Sequence, residues 1–257
     1  MDRPSIAALE RAALSTVPAP RVAFDEPFVV RAFQGGTGRA NAASSLDPAP
    51  DAEMEERVAR IEARYRRLGL VPRFRSTPLD PPGLDALLRA RGYVEKDETV
   101  ILVVPVASIA RADAEVTAAD APDEDWIGVI ATTEYQSDAR RAEKRGTPGL
   151  LAAHGAWLTL RREGAAAASL SVVVDGPIAG FFDLAVRPEF RRHGLAQRVV
   201  RAGAQWAMEQ GAAWLFAQVA ASNAASRAVC GGLGMVEAYR YRYLVPKEQA
   251  GPSLRFS

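Results

Sequence analysis

The chain carries two copies of one pattern, and this constrains its fold more than any other feature. Residues 57–105 begin RVARIEARYRRLGLVPRF and end YVEKDETVILVVP; residues 198–246 begin RVVRAGAQWAMEQGAAWLF and end MVEAYRYRYLVP. Arg57 aligns with Arg198 and Pro105 with Pro246, an offset of 141 at both ends. Solenoids repeat every 20–50 residues or so, so a repeat of this length indicates two related units. Each copy reads helix, strand, helix, strand. Met54, Val58, Ile61, Tyr65 and Leu68 recur at helical spacing before Gly69, as Leu195, Val199, Ala202 and Trp206 do before Gly211. Each copy closes on an apolar or aromatic strand, TVILVV in one and alternating Tyr239, Tyr241 and Tyr243 in the other. Three strand candidates, AWLTLRR, AASLSVVVDG and IAGFFDLAV, precede the second copy, with VDGP as a hairpin turn between the last two. Hairpin strands followed by a strand–helix–strand unit predict an α/β chain of the α+β kind, with mixed β-sheets flanked by helices. The expected division is residues 1–108 as a first unit, 109–120 as a linker, 121–246 as the second unit and 247–257 as a tail.

Composition excludes several function classes. Lys and Arg number 32 against 31 Asp and Glu, a net charge of +1, so no global field recruits nucleic acid or an anionic membrane. No apolar run is long enough to span a bilayer, and the first residues, MDRPSIAALERAAL, read as an amphipathic helix, so a cytoplasmic location is expected. Cys230 is the single cysteine, and His154 and His193 are the two histidines. A disulfide is therefore impossible within the chain, and no metal centre is expected.

The stretch RPEFRRHGLAQRVV, residues 187–200, joins an apolar strand to a helix. The first turn of a helix presents unpaired N–H groups and the positive end of its dipole, which together bind phosphate. Gly194 and Ala196 leave the backbone approachable, and Arg191, Arg192 and His193 add charge. The alternative is an ordinary strand–helix corner with solvated arginines, because short glycine motifs also match by chance. The aligned positions of the first copy, LDPAPDAEME (46–55), hold four acids with no glycine and no arginine. Those acids would repel phosphate, so a single anion site is expected.

Taken with DLAV before it, Asn223 beyond the next strand and LGM after the second helix, RPEFRRHGLAQ resembles the pyrophosphate-binding segment of the GNAT superfamily of acetyl-CoA-dependent N-acetyltransferases. The chain, including GTGRAN (36–41), is similar to a bacterial tandem type whose N-terminal half is degenerate. The resemblance implies that acetyl-CoA is the acyl donor. Leu184, Ala185 and Val186 would meet its acetyl and pantetheine amides through the main chain. Arg191, Arg192, His193, Gly194, Leu195 and Ala196 would hold the pyrophosphate, and Asn223 with Ser226 would meet the pantetheine arm; Asn223 also suits a plain helix N-cap. The acceptor would be a primary amine of a small molecule or peptide, with no nucleic-acid or membrane partner and an oligomeric state left open. An ammonium must lose a proton before it attacks. Asp183 is the first candidate to take it, against a solvated or Arg-paired carboxylate; Glu134, Glu143 and His154 are weaker. Seven residues past the asparagine, where the family often has a proton-donating Tyr, stands Cys230. It is a candidate acid or a small buried core residue, with Tyr241 or Tyr239 as substitute donors. A non-catalytic acyl-CoA sensor is the alternative function, which would bind the donor but transfer to no amine.

Overall fold

The two repeat units fold as expected one by one, but they do not stay apart. The computed structural model describes residues 2–33, 37–133 and 137–250. The first half runs α1 (Ile6–Thr16), β1 (Arg21–Asp25), β2 (Phe28–Ala32), β3 (Ala43–Ser45), α2 (Met54–Arg67), β4 (Phe74–Ser76), α3 (Leu84–Ala90) and β5 (Tyr93–Pro105). A short α4 (Val106–Ile109) and β6 (Val116–Ala119) lead into α5 (Glu124–Ile130), α6 (Asp138–Gly146), β7 (His154–Arg162), β8 (Ala165–Asp175) and β9 (Ile178–Val186). Then come α7 (Leu195–Glu209), β10 (Trp214–Ala220), α8 (Ala224–Gly232) and β11 (Val236–Pro246). α2 and α7, β4 and β10, α3 and α8, and β5 and β11 are the repeated pairs.

Among the described residues eleven strands form one mixed sheet in the order β1-β2-β3-β4-β11-β5-β10-β9-β8-β7-β6. The closing strands of the two copies have changed places. β5 of the first copy pairs antiparallel with β10 of the second, and β11 of the second pairs antiparallel with β4 of the first. β5 and β11 also pair with each other, from Val236↔Val103 to Pro246↔Tyr93. Two separate sheets were the expectation; the exchange fuses them across a central seam. The stretch read as a linker likewise contributes β6, which extends the sheet's far edge against β7.

Period-two alternation sorts the core. Leu170, Val172 and Val174 of β8 and Leu215, Ala217 and Val219 of β10 pack beneath α7 and α8. Phe216 and the three tyrosines of β11 face the other way, against Leu9, Ala12 and Ala13 of α1. A third cluster joins α2 and α3 to the first-half strands, and α5 covers Trp157, Ala166 and Ala185. α7 lies close on the sheet because residue 203 is glycine; a Cβ there would come within 2.7 Å of Leu170 and 2.8 Å of Val172. That close seat fixes where the N-terminus of α7 meets the end of β9.

Candidate active site

β9 and β10 run parallel and part company early. Their pairing extends from Trp214↔Ile178 to Ala217↔Phe181 and then stops, while β9 continues with β8 to Val186 and β10 continues with β5 to Ala220. The inner edges of residues 182–186 and 218–220 therefore open as a V, with main-chain groups free of a strand partner.

At the mouth of the V stands the corner where β9 turns into α7. Gly194 caps α7 with φ +75° and offers no capping side chain, so the first-turn N–H groups of Leu195, Ala196 and Gln197 point outward unsatisfied. A Cβ at Gly194 would touch nothing, so its glycine answers to backbone conformation alone. Arg192 also has positive φ, +67°, which turns successive N–H groups inward as a nest. Neither Arg191 nor Arg192 meets a carboxylate among the described residues; Arg191 donates to the Val186 carbonyl at 3.2 Å, and the His193 ring lies 3.3 Å from the Phe190 carbonyl. A cleft of about 490 Å³ joins this corner to Leu184, Ala185 and Val186 on one side and to Ser226 and Val229 of α8 on the other. The corresponding start of α2 is filled by the chain's own acids. Asp51 bonds Arg57 at 2.7 Å, and Asp25 takes Arg57, Arg60 and Arg64 at 2.7 to 3.1 Å.

At the inner end of the V, Asp183 sits on a β-bulge. Ala185 opposes Ser169 and Phe182 opposes Ser171, so Asp183 and Leu184 share the place opposite one residue, and Asp183 has φ +54°. Strict alternation puts Asp183 opposite Phe182; the bulge instead turns both into one small pocket of about 80 Å³. Its carboxylate meets Lys144 at 2.7 Å and the Ser171 hydroxyl at 3.2 Å. The pairing expected for its structural role was with arginine; a lysine from α6 supplies it. Glu143 lines the same pocket, bonded by Arg140 at 2.6 Å and by the Thr37 N–H at 3.4 Å. Arg39, from the GTGRAN stretch of the first half, enters it too and donates to the Gln218 carbonyl at 2.8 Å, inside the V.

Four candidates lie elsewhere. Cys230, on α8, is 1% exposed in the core beneath α7, and burial pushes its thiol up to about 11. A proton donor must reach the reacting atoms, and this thiol faces the core. Tyr241 is also fully buried, its hydroxyl 3.1 Å from Gln218 Oε1 and its ring stacked by Arg75 at 3.4 Å; Tyr239 is buried on Glu10. The tyrosine ladder is thus packing at the seam. His154 stacks edge-on against Trp206, 5.1 Å between centroids, outside both clefts. Asn223 caps α8, accepting the Ser226 N–H at 2.9 Å, and Glu134 lies outside the described residues.

Sequence reasoning missed the network behind the pocket. Glu10 of α1 is 0% exposed and forms a twofold bond with Arg75 of β4 (2.7 and 2.9 Å), whose third nitrogen reaches Gln218 Oε1 at 3.2 Å. This ties α1, β4, β10 and β11 together directly under the V. Among the described residues no cluster of His, Cys, Asp and Glu could hold a metal ion, and no helix is long and apolar enough to cross a membrane.

Comparison with known proteins follows the same lines. A family model described as "Probable histone acetyltransferase Rv0428c C-terminal" matches residues 4–244. The uncharacterized N-acetyltransferase YobR of Bacillus subtilis is 24% identical over 245 residues, which span 93% of this chain and 98% of that protein. The fold matches a GCN5-related N-acetyltransferase from Kribbella flavida with a TM-score of 0.70 at 18% identity, covering 95% of this chain and 97% of the other. It also matches a tandem GNAT protein from the clavulanic acid biosynthesis pathway, with a TM-score of 0.61 at 16% identity and coverage of 83% and 76%.

Proposed function

The chain belongs to the Rv0428c C-terminal acetyltransferase family, and on that premise we propose that it moves an acetyl group from acetyl-CoA to a primary amine of a small molecule or peptide. The observation that carries this reading is the V between β9 and β10 opening straight onto a helix N-terminus flanked by two arginines that meet no carboxylate among the described residues. A donor with a pyrophosphate and a pantetheine arm fits that shape. Its phosphates take the N–H groups of residues 192–197 and the guanidinium groups of Arg191 and Arg192. Its amides take the free main-chain edge of Leu184 to Val186, with Ser226 and the Asn223-capped turn of α8 on the opposite wall.

The acceptor then approaches from the Asp183 side. The ammonium first gives a proton to the Asp183 carboxylate, which Lys144 and Ser171 hold in place and whose bulge aims it into the acceptor pocket. The freed lone pair attacks the thioester carbonyl, the new C–N bond forms as the C–S bond breaks, and the nitrogen's second proton leaves to water. The sulfur leaves as a thiolate. A thiol of pKa about 8.5 departs as its anion at pH 7 with a handicap of roughly 2 kcal/mol, so no side-chain acid is required, in keeping with the burial of Cys230 and Tyr241.

Thiol release from acetyl-CoA, followed over a panel of amines, tests this directly. Turnover with at least one amine is expected, reduced about 10²- to 10⁴-fold in Asp183→Asn, the range for loss of a positioned base. Tight donor binding with no transfer to any amine would refute the proposal, and unimpaired turnover in Asp183→Asn would remove that residue's role.

A further inference from the structure

The acceptor pocket holds more positive than negative charge, and the excess comes from the first half of the chain. Of the charged groups that line it, Lys144 is matched by Asp183 and Arg140 by Glu143. Arg39 meets no carboxylate among the described residues; its one bond in the V is to the Gln218 carbonyl, and a guanidinium has five N–H donors to place. Behind Arg39 lies Arg31, 3% exposed, whose guanidinium donates to main-chain carbonyls of Arg39 (3.1 Å) and Val17. Burial pushes Arg31 down to about 10, still charged at neutral pH. Arg73, stacked 5.2 Å over the Tyr243 ring beside Gly38, is likewise without a carboxylate, and its Nε is buried and unpartnered. The remaining charges near the seam, Glu10 and Arg75, cancel. Arg31 is buried and Arg39 and Arg73 are half-buried, so solvent screens these cations less than on an open surface and they attract an anion.

Asp183 and Ser171 line the same pocket and present oxygens that suit an ammonium beside or in place of Lys144, and Trp157, Phe33 and Phe182 add apolar surface to the lining. We infer that the acceptor is an amino carboxylate: a small molecule whose amine lies toward Asp183 and whose carboxylate takes the fork of Arg39. This rests on the N-acetyltransferase reading and narrows it. A planar carboxylate accepts two parallel bonds from a guanidinium, which an amide or a bare alkylamine cannot match. A lysine-rich protein tail would bring like charge against Arg39, Arg31 and Arg73, so such a tail is a poor acceptor here.

The test uses the full chain, acetyl-CoA and matched acceptors: amino acids, their carboxamides and the corresponding amines without the carboxyl group, with a lysine-rich peptide alongside. At least a tenfold higher kcat/KM is expected for the acids than for their amides. That ratio falls toward one in Arg39→Met and is partly restored in Arg39→Lys, with melting curves and acetyl-CoA binding confirming that each variant is folded. Equal or better turnover of the amide, the amine or the lysine-rich peptide overturns the inference. If no acceptor turns over, calorimetry of the same compounds in the presence of CoA separates the two readings. Preferential binding of the acids, lost in Arg39→Met, upholds the charge inference while the transfer reading fails; indifference to the carboxylate sinks it.

Discussion

Replacing Ala196 by glutamate places a carboxylate in the first turn of α7, where the donor's pyrophosphate is proposed to lie. Ala196 is half-buried and lines the donor cleft beside Gly194. At about 5 Å from a group carrying roughly two negative charges, and with an effective dielectric constant near 40 for a half-exposed cleft, the repulsion is about 3 kcal/mol. This corresponds to roughly a 200-fold loss of acetyl-CoA affinity. The same carboxylate should not harm the fold, since an acid in the first turn of a helix gains about 0.3–1 kcal/mol from the dipole. Ala196→Gln has nearly the same shape without the charge, so the affinity gap between the two variants isolates the electrostatic part. That gap should narrow markedly near 1 M salt, where the Debye length falls to about 3 Å. Isothermal titration of acetyl-CoA into the three proteins at low and high salt reads all of this. If Glu and Gln variants bind alike, or if both match the parent, the donor's phosphates do not sit on this helix terminus and the assignment of residues 191–196 fails.

The buried pair of Glu10 and Arg75 gives a second prediction. Glu10→Gln or Arg75→Met alone leaves an uncompensated ion at the seam and should cost about 3–5 kcal/mol in urea unfolding, whereas the double variant should recover much of that loss; additive losses would contradict it. Cys230, its thiol raised by burial to about 11, should resist alkylation at pH 8 in the folded protein and react only after denaturation, and Cys230→Ala should still transfer acetyl groups. Asp80 is pushed up to about 6 by burial, with the Ser76 hydroxyl and Thr77 N–H pulling less strongly the other way. The folded chain therefore holds this proton more tightly than the unfolded one. Its contribution to stability is complete below the unfolded pKa and lost as pH rises through about 6. Asp80→Asn should thus stabilise the protein by about 2–3 kcal/mol at pH 7.5 and by little at pH 4; equal urea midpoint shifts at the two pH values would refute this.

Local chemistry was legible wherever one residue type has one use. VDGP turned the hairpin between β8 and β9, Gly69 and Gly211 ended their helices at positive φ, and Asn223 capped α8. Gly194 was legible as the start of α7, where it stands at positive φ without a capping side chain. Asp183 was placed on the correct strand, but its direction was not readable. A bulge adds one residue without leaving a mark in the apolar pattern, and the alternation rule fails from that point on. Glu10 looked like the polar face of an amphipathic helix; its burial depends on Arg75, sixty-five positions away, a pairing that no local pattern encodes. Cys230 fell at a position where a tyrosine often works, and only its surroundings in the core decide between thiol chemistry and packing.

The exchange of β5 and β11 was invisible for a deeper reason. The two strands descend from one pattern, so each presents a similar edge and a similar apolar face. Pairing β5 with β4 or with β10 satisfies the same alternation, and sequence alone cannot separate the alternatives. Once exchanged, β5 is the strand that closes β10 on the side away from the V, so the donor half cannot complete its own sheet. The first half also supplies α1, whose Glu10 anchors Arg75 beneath Gln218, and Arg39, whose guanidinium holds the Gln218 carbonyl where β10 leaves β9. The first half places its own aspartates on the arginines of α2, and it also furnishes Arg39 in the lining of the pocket that Asp183 shares and the Glu10–Arg75 pair behind it.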